Sequence, residues 1–180
     1  ANGNVAISAG GRYVVFGSFA SNLVPGDTNS DVDVFRHDRD VSGNGVFDEP
    51  GDISTIRVSV DSSSVEGNSD SGSGVAVSSD GRYVTFASYA TNLVAGDTNG
   101  ARDVFVFDRV GSAVERVSVA YGGVQVGGSD RESYGAKINS NGLIYLPTHG
   151  PVSPKLGLKP TNKAVRFTRC ALLRLTLPPR

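Results

Sequence analysis

The sequence predicts an all-β fold that is built from repeated four-stranded antiparallel units. The first observation is internal repetition, because residues 7–39 align without gaps on residues 77–109. The second is a series of short segments, rich in aromatic and β-branched residues, that alternate with turn formers. The third is that no stretch shows sustained helical periodicity. Together these features favour short strands joined by tight turns.

Each unit contains four predicted strands, most clearly in the second copy. The segment GVAVSS is followed by Asp80-Gly81, a pair that accepts the positive φ of a hairpin turn, and then by RYVTFAS with alternating character. DVFVFD supplies a third strand. VERVSV supplies a fourth, after a turn at Gly111-Ser112.

The length of the unit sets the predicted domain boundaries. IRVSV ends at Val60 and ERVSV ends at Val119, which is an offset of 59 residues, whereas residues 7–39 and 77–109 are offset by 70. The offsets differ because the first copy carries an insertion around residues 41–52. The sequence therefore predicts units of about 60 residues. Unit one covers residues 1–60, with an Asp/Gly-rich insertion at residues 38–52, and unit two covers residues 61–119. Residues 120–180 form either a divergent third unit or a basic C-terminal tail.

The C-terminal segment departs from the repeat after Gly142. LIYLPTH stands where RYVTFAS is expected, and KPTNKAVRFT replaces GDTNGARDVF, so both acidic positions are lost. AVRFTR and ALLRLTL still fall near the expected third and fourth strands. A divergent third unit is one interpretation; a change of reading frame or an unrelated appended segment is the other, because the change in composition is abrupt.

The charge of the chain is divided between its two ends. The net charge of −1 combines residues 1–142, which hold 18 acidic and 10 basic residues, with residues 143–180, which hold seven basic residues and no acid. The basic segment is expected to dock on the acidic body rather than on nucleic acid. No apolar run approaches the ~18 residues of a membrane span. The lone Cys170 excludes internal disulfides.

The repeat resembles a known family. SSDGRYVTFASYATNLVAGDTNGARDVFVFDR looks like the repeat of TolB-type, WD-repeat-like β-propellers of bacterial secreted and surface proteins. The likeness covers residues 5–142, where the Asp-Gly-Arg-Tyr turn, the Asn-Leu-Val segment and the Gly-Asp-Thr-Asn loop recur in order. It implies propeller blades, a binding or assembly role, and a secreted or cell-surface location. The start at Ala1 without Met fits a processed protein or an excerpt of a longer one.

Three blades at most would leave the ring incomplete within one chain. Propellers typically close with four to eight blades, which requires at least about 240 residues for units of this size. The expected partners are therefore further copies of the chain or the remainder of a longer propeller, and two chains would make a six-bladed ring.

The insertion predicts a calcium site. Its residues 38–52 read DRDVSGNGVFDEPGD, in which oxygen-bearing residues occupy alternate positions around Gly45, as in the calcium-binding hairpin loops that this segment resembles. The predicted ligands are the side chains of Asp40, Ser42, Asn44 and Asp48 and the carbonyl of Val46. A second register with EF-hand spacing, ending at Glu49, is less favoured because flanking helices are absent. A solvated hairpin tip is the alternative without metal.

The two GDTN loops are weaker versions of the same pattern. The candidate ligands are Asp27, Asn29 and Asp33 in the first copy and Asp97, Asn99 and Asp103 in the second. Pro25 and Ala95 stand where the first carboxylate of the pattern should be, which lowers the charge and ligand number. An Asx-turn, in which Asp or Asn caps its own loop, explains the same residues without metal.

The sequence gives little support for catalysis. It lacks the GxSxG elbow, HExxH and a phosphate-cradling glycine loop. His37 follows a predicted strand and is interpreted as a surface or edge residue, and His149 has no predictable partner. Cys170 fits a small buried hydrophobe.

We therefore expect a non-enzymatic, secreted or surface-exposed calcium-binding propeller module for protein binding or self-assembly. One alternative is a non-catalytic propeller fragment of a larger hydrolase. Another is a carbohydrate-binding propeller, although only scattered Tyr residues favour it and Trp is absent.

Overall fold

The first four strands form one antiparallel sheet, in which each strand pairs with the next along the chain. The computed structural model describes residues 5–119, residue 125, and residues 137–138 and 144–145. The strands of the first sheet are β1 (Val5–Ile7), β2 (Tyr13–Ser18), β3 (Asp33–Asp38) and β4 (Ser54–Arg57). This sheet is called blade one below.

The next four strands repeat the arrangement as blade two. They are β5 (Ser71–Val77), β6 (Tyr83–Ser88), β7 (Asp103–Asp108) and β8 (Ala113–Arg116), again paired in chain order. A separate antiparallel pair consists of β9 (Lys137–Ile138) and β10 (Ile144–Tyr145). All regular structure in the described part of the chain is strand, so the predicted all-β class with four-stranded, propeller-like blades is confirmed.

Most of the predicted third unit lies outside the described residues. That part includes His149, Cys170 and the basic segment, whereas β9 and β10 fall near its predicted beginning. In the described part of the chain, no helix has the length and apolar character needed to cross a membrane.

A turn of the same length joins the first two strands of each blade, and an ion pair ties it to the third strand. In blade two, the Tyr83 amide donates to the Ser78 hydroxyl at 2.9 Å, and Gly81 takes a φ of +67° that suits glycine. Arg82 then donates from its Nε to Asp108 Oδ1 at 2.8 Å, at the end of β7. The same contacts in blade one involve Ser8, Gly11, Arg12, Tyr13 and Asp38. The repeated Gly-Arg-Tyr sequence thus fixes the register of the first three strands.

The core lies between the two blades, because one face of each sheet packs against the other. β5 lies against β1 and β2. The buried apolar cluster contains, from blade one and its outgoing segment, Tyr13, Val15, Val34, Val58 and Val60, and from blade two Val77, Val84, Phe86, Ala90, Leu93, Phe105 and Phe107. Burial of this surface is the main favourable contribution to the stacking of the blades.

Candidate functional site

The GDTN loop of blade one brings two of its predicted ligands together with a third carboxylate. Oxygens of Asp27, Asp33 and Glu66 all lie within 4.8 Å of one another. The Thr28 amide donates to Glu66 Oε2 at 3.1 Å, which anchors Glu66 to the loop. Glu66 was not predicted from the sequence. Its equivalent in the second copy is Gln125, so the two copies differ in charge at this position.

An arginine already lies among these carboxylates. Arg57 Nη1 is 2.7 Å from Glu66 Oε2, 3.1 Å from Asp33 Oδ2 and 3.6 Å from Asp27 Oδ1. Its Nη2 donates to the carbonyl of Gly26 at 2.8 Å. One guanidinium therefore faces three carboxylates, and the cluster keeps a net charge of −2.

The electrostatics leave Asp27 in an unfavourable position when it is ionised. Burial raises the pKa of Asp27, and the negative charge of Asp33 raises it further, while Arg57 partly opposes both effects. Thr28 and Arg57 together lower the pKa of Glu66. An additional cation would relieve the charge on Asp27, but it would have to share the site with Arg57.

Blade two contains a similar cluster with one carboxylate fewer. Arg116 Nη1 lies 3.2 Å from Asp97 Oδ1 and 3.6 Å from Asp103 Oδ2, and Gln125 donates its amide to Asp97 Oδ1 at 2.7 Å. Burial raises the pKa of Asp97, followed by the charge of Asp103. The net charge here is −1, so this cluster attracts a cation less strongly than the blade-one cluster does.

The predicted asparagine ligands act as turn caps in the structure. Asn29 Oδ1 accepts the Asp31 amide at 2.9 Å, and Asn99 Oδ1 accepts the Ala101 amide at the same distance. The Nδ2 group of Asn29 faces Asp33 at 3.2 Å. Their oxygens are therefore used within the loops, which is the Asx-turn arrangement.

The predicted ligands of the insertion are held by hydrogen bonds inside the hairpin. Asp40 is buried and accepts the amides of Asn44 and Gly45, each at 2.9 Å. Although burial opposes it, these backbone donors lower the pKa of Asp40. Asn44 Oδ1 accepts the Val46 amide at 2.7 Å.

The remaining predicted ligands of the insertion point to other partners. Ser42 donates its hydroxyl to Asp52 Oδ2 at 2.8 Å, and Asp48 Oδ2 pairs with Arg39 Nη2 at 2.5 Å. Among the described residues, the group of three converging carboxylates is the one around Asp27, and the insertion contributes none of its members. Calcium binding by the insertion stays a prediction.

A second candidate site is an apolar surface that the sequence analysis did not identify. In blade two, the residues that face blade one are buried, but their equivalents in the first copy are open. Ile7 is 59% exposed where Val77 is 9% exposed, and Leu23 is 37% exposed where Leu93 is 2% exposed. We call Ile7 and Leu23, with the surface around them, the open face of blade one.

The contact between the two blades shows how the equivalent face of blade two is covered. The loop that contains Leu93 packs on the segment that leaves blade one: Asn92 Nδ2 donates to the Glu66 carbonyl at 2.8 Å, and the Asn68 amide donates to Asn92 Oδ1 at 3.0 Å. The equivalent Asn22 is exposed. The repeat alignment contains a signal for this surface, because it pairs Ile7 with Val77 and Leu23 with Leu93.

His37 is the one histidine in the described part of the chain. Its Nδ1 lies 2.8 Å from the hydroxyl of Thr55 on the neighbouring strand β4. His37 also lies opposite Val14 of β2, so β3 is paired on both sides and the predicted edge position is wrong. The side chain is half-buried.

Comparisons with known proteins give a partial structural likeness. No protein-family model matches the chain, and no curated protein matches it. A candidate TolB from Agrobacterium tumefaciens is similar over 81% of this chain and 38% of its own, with 16% identity and a TM-score of 0.45. Hydrazine synthase from Kuenenia stuttgartiensis is similar over 79% of this chain and 35% of its own, with 18% identity and a TM-score of 0.40. The chain thus spans less than two fifths of either structure. Its propeller-like character rests on its own two four-stranded sheets.

Proposed function

We propose that this chain is a non-enzymatic, TolB-type propeller module that associates with a second copy of itself through the open face of blade one. The observation that carries the proposal is the contrast between equivalent surfaces in the two blades. Blade one covers one surface of blade two. The equivalent surface of blade one is exposed at Ile7 and Leu23. The support for another blade as the partner is that blade one covers the equivalent surface of blade two.

Burial of the apolar side chains on the open face would favour such an association. Complete burial of a Leu, Ile or Phe side chain contributes about 1.5–3 kcal/mol, before the cost of association is subtracted. Ile7 and Leu23 are exposed, and apolar surface of this kind commonly marks protein interfaces. The edge strands β1 and β4 also have one unpaired side in the described sheet.

Calcium is proposed as an additional ligand of the blade-one acidic cluster. Its support is the excess of three carboxylates over one guanidinium, together with the raised pKa of Asp27. A site of this type suits the millimolar calcium outside the cell. We accordingly propose a secreted or cell-surface location.

The association is tested by measuring mass against concentration, by light scattering after size exclusion. We expect the parent mass to rise from monomer towards dimer, and Ile7→Asp to shift that rise to higher concentration, because Ile7 is 59% exposed on the open face. Val110→Asp is the matched control, because Val110 is 63% exposed but lies at the β7–β8 turn of blade two. A parent that stays monomeric at every concentration would refute self-association and favour the remainder of a longer propeller as the partner. Equal effects of the two variants would also count against the open face.

A further inference from the structure

The interface between the blades contains a three-part contact at the β5–β6 turn. Arg36 of blade one donates its Nε to the carbonyl of Gly81 at 2.8 Å. The same guanidinium lies 4.3 Å from the ring centroid of Tyr13. The ring in turn packs against Gly81 so closely that a Cβ placed there would lie 2.2 Å from it. The neighbouring blade thus covers this turn with an arginine and an aromatic ring.

The equivalent turn of blade one has the same three-part contact, made by a different part of the chain. Gly11 corresponds to Gly81 and also has a positive φ, of +75°. Arg39 donates its Nη1 to the Gly11 carbonyl at 2.9 Å and lies 4.8 Å from the ring centroid of Phe47. The nearest atom to a Cβ placed on Gly11 is Cε2 of Phe47, at 3.4 Å. Both partners belong to the insertion or its first residues rather than to a neighbouring blade.

The insertion is organised to hold this arginine and this ring in place. Asp48 accepts from Arg39 Nε at 3.0 Å, and its amide donates to the Arg39 carbonyl at 2.8 Å. At the base of the hairpin, the Val41 amide donates to the Asp52 carbonyl at 2.9 Å. Blade two has the arginine, as Arg109, but it has no insertion and hence no equivalent of Phe47.

We infer that the insertion hairpin, residues 38–52, is an intramolecular cap that takes the place of a neighbouring blade at the Gly11 turn. Phe47 and Arg39 occupy the position that the tyrosine and arginine of an incoming blade would need. The hairpin therefore competes with a partner for this corner of the open face, and the partner gains full contact only when the hairpin moves away. The competition rests on the proposed self-association, whereas the capping contact does not.

The cap is tested with Phe47→Ala against Val46→Ala, its neighbour in the same hairpin, which is also exposed. Amide hydrogen exchange of residues 9–13 is measured at a concentration where the protein is monomeric. We expect Phe47→Ala to raise exchange in this segment by about tenfold over the control, because the ring no longer covers the turn. Equal exchange in the two variants would overturn the cap.

The competition is tested by the mass of the same two variants against concentration. We expect Phe47→Ala to associate at lower concentration than the parent, with Val46→Ala unchanged. Association that is weakened or unchanged by Phe47→Ala would overturn the competition. A failure of the proposed function is distinguishable, because the parent and Ile7→Asp would then both remain monomeric while the exchange result still decides the cap.

Discussion

Arg36 in β3 of blade one and Gly81 in the β5–β6 turn of blade two are joined by a hydrogen bond of 2.8 Å from the guanidinium Nε to the carbonyl oxygen. Arg36 is buried, with an exposed fraction of only 4%, so this donor replaces water that the glycine carbonyl would otherwise bind. The bond links the two sheets through polar groups as well as through their apolar core. It also places the backbone of Gly81 directly on the ring of Tyr13.

Replacing Gly81 with Ala is expected to weaken the contact between the blades. The new Cβ would lie 2.2 Å from the Tyr13 ring, and the positive φ adds backbone strain. Gly96→Ala is the matched control, because its φ of +73° is similar but no atom lies within 4 Å of its Cβ position. We expect the control to cost about 1 kcal/mol and Gly81→Ala to cost a further ~1–3 kcal/mol. The free energy of unfolding in urea measures both, and equal losses would show that the Tyr13 contact is unimportant.

Removing the hydroxyl of Ser59 is expected to destabilise blade one. Ser59 accepts the Val34 amide at 3.1 Å and donates to Asp33 Oδ1 at 2.5 Å, and both Ser59 and Asp33 are completely buried. Ser59→Ala leaves both partners without this bond, which we expect to cost about 1–3 kcal/mol. Exposed Ser62→Ala serves as the control. Unfolding midpoints in urea that agree between the two variants would contradict this role.

Acid is expected to weaken the Arg82–Asp108 pair. The hydrogen bond from Arg82 lowers the pKa of Asp108, although burial opposes it. Because the folded pKa is below the unfolded value of about 4, the stabilisation is present above that pH and is lost as the pH falls through the folded pKa. We expect Asp108→Asn to lower stability by about 1 kcal/mol at pH 7, since the pair is partly exposed, and to flatten the loss below about pH 4.

The pH dependence is read from urea unfolding at a series of pH values. Glu115→Gln is the control for removing one acidic group, because Glu115 is exposed on β8. If Asp108→Asn and Glu115→Gln give parallel curves, the Arg82 pair has no special part in acid stability.

The fold was predictable because its signal is local and repeated. Alternation in strands such as β6, the Asp80-Gly81 turn and the gapless match between the two copies are visible in the sequence, and they specify four-stranded meanders. The partners of the acidic loops were not predictable in this way. Arg57 and Glu66 lie far beyond Asp33 along the chain, and they reach it only after the strands pair and the chain leaves the blade.

The insertion shows the same limit. Its spacing of Asp40, Asn44 and Asp48 predicts calcium ligands, but spacing carries no information on which way each oxygen points. In the structure, backbone amides of the hairpin donate to Asp40, and Arg39 forms an ion pair with Asp48. The contact between Phe47 and Gly11 joins segments that are distant in the sequence, so only the folded sheet brings it about.

Removing the guanidinium of Arg57 is expected to make the blade-one cluster depend on calcium. Arg57→Gln leaves Asp27, Asp33 and Glu66 without their shared counter-charge, so the variant should be less stable in a chelator. Calcium binds carboxylate oxygens and should restore stability, through preferential binding to the folded state. We expect the thermal midpoint of Arg57→Gln to rise by several degrees in millimolar calcium, and to rise more than that of the parent.

Arg116→Gln is the matched control for this prediction, because the blade-two cluster pairs its arginine with two carboxylates and has the amide of Gln125 in place of the third. Its calcium response should be smaller, since ligand charge sets affinity. If Arg57→Gln is unfolded in the chelator, recovery of the β-sheet circular dichroism signal on adding calcium replaces the thermal midpoint as the readout. A response that magnesium reproduces, or no response in either variant, would show that the carboxylates pair with the arginine and do not form a calcium site.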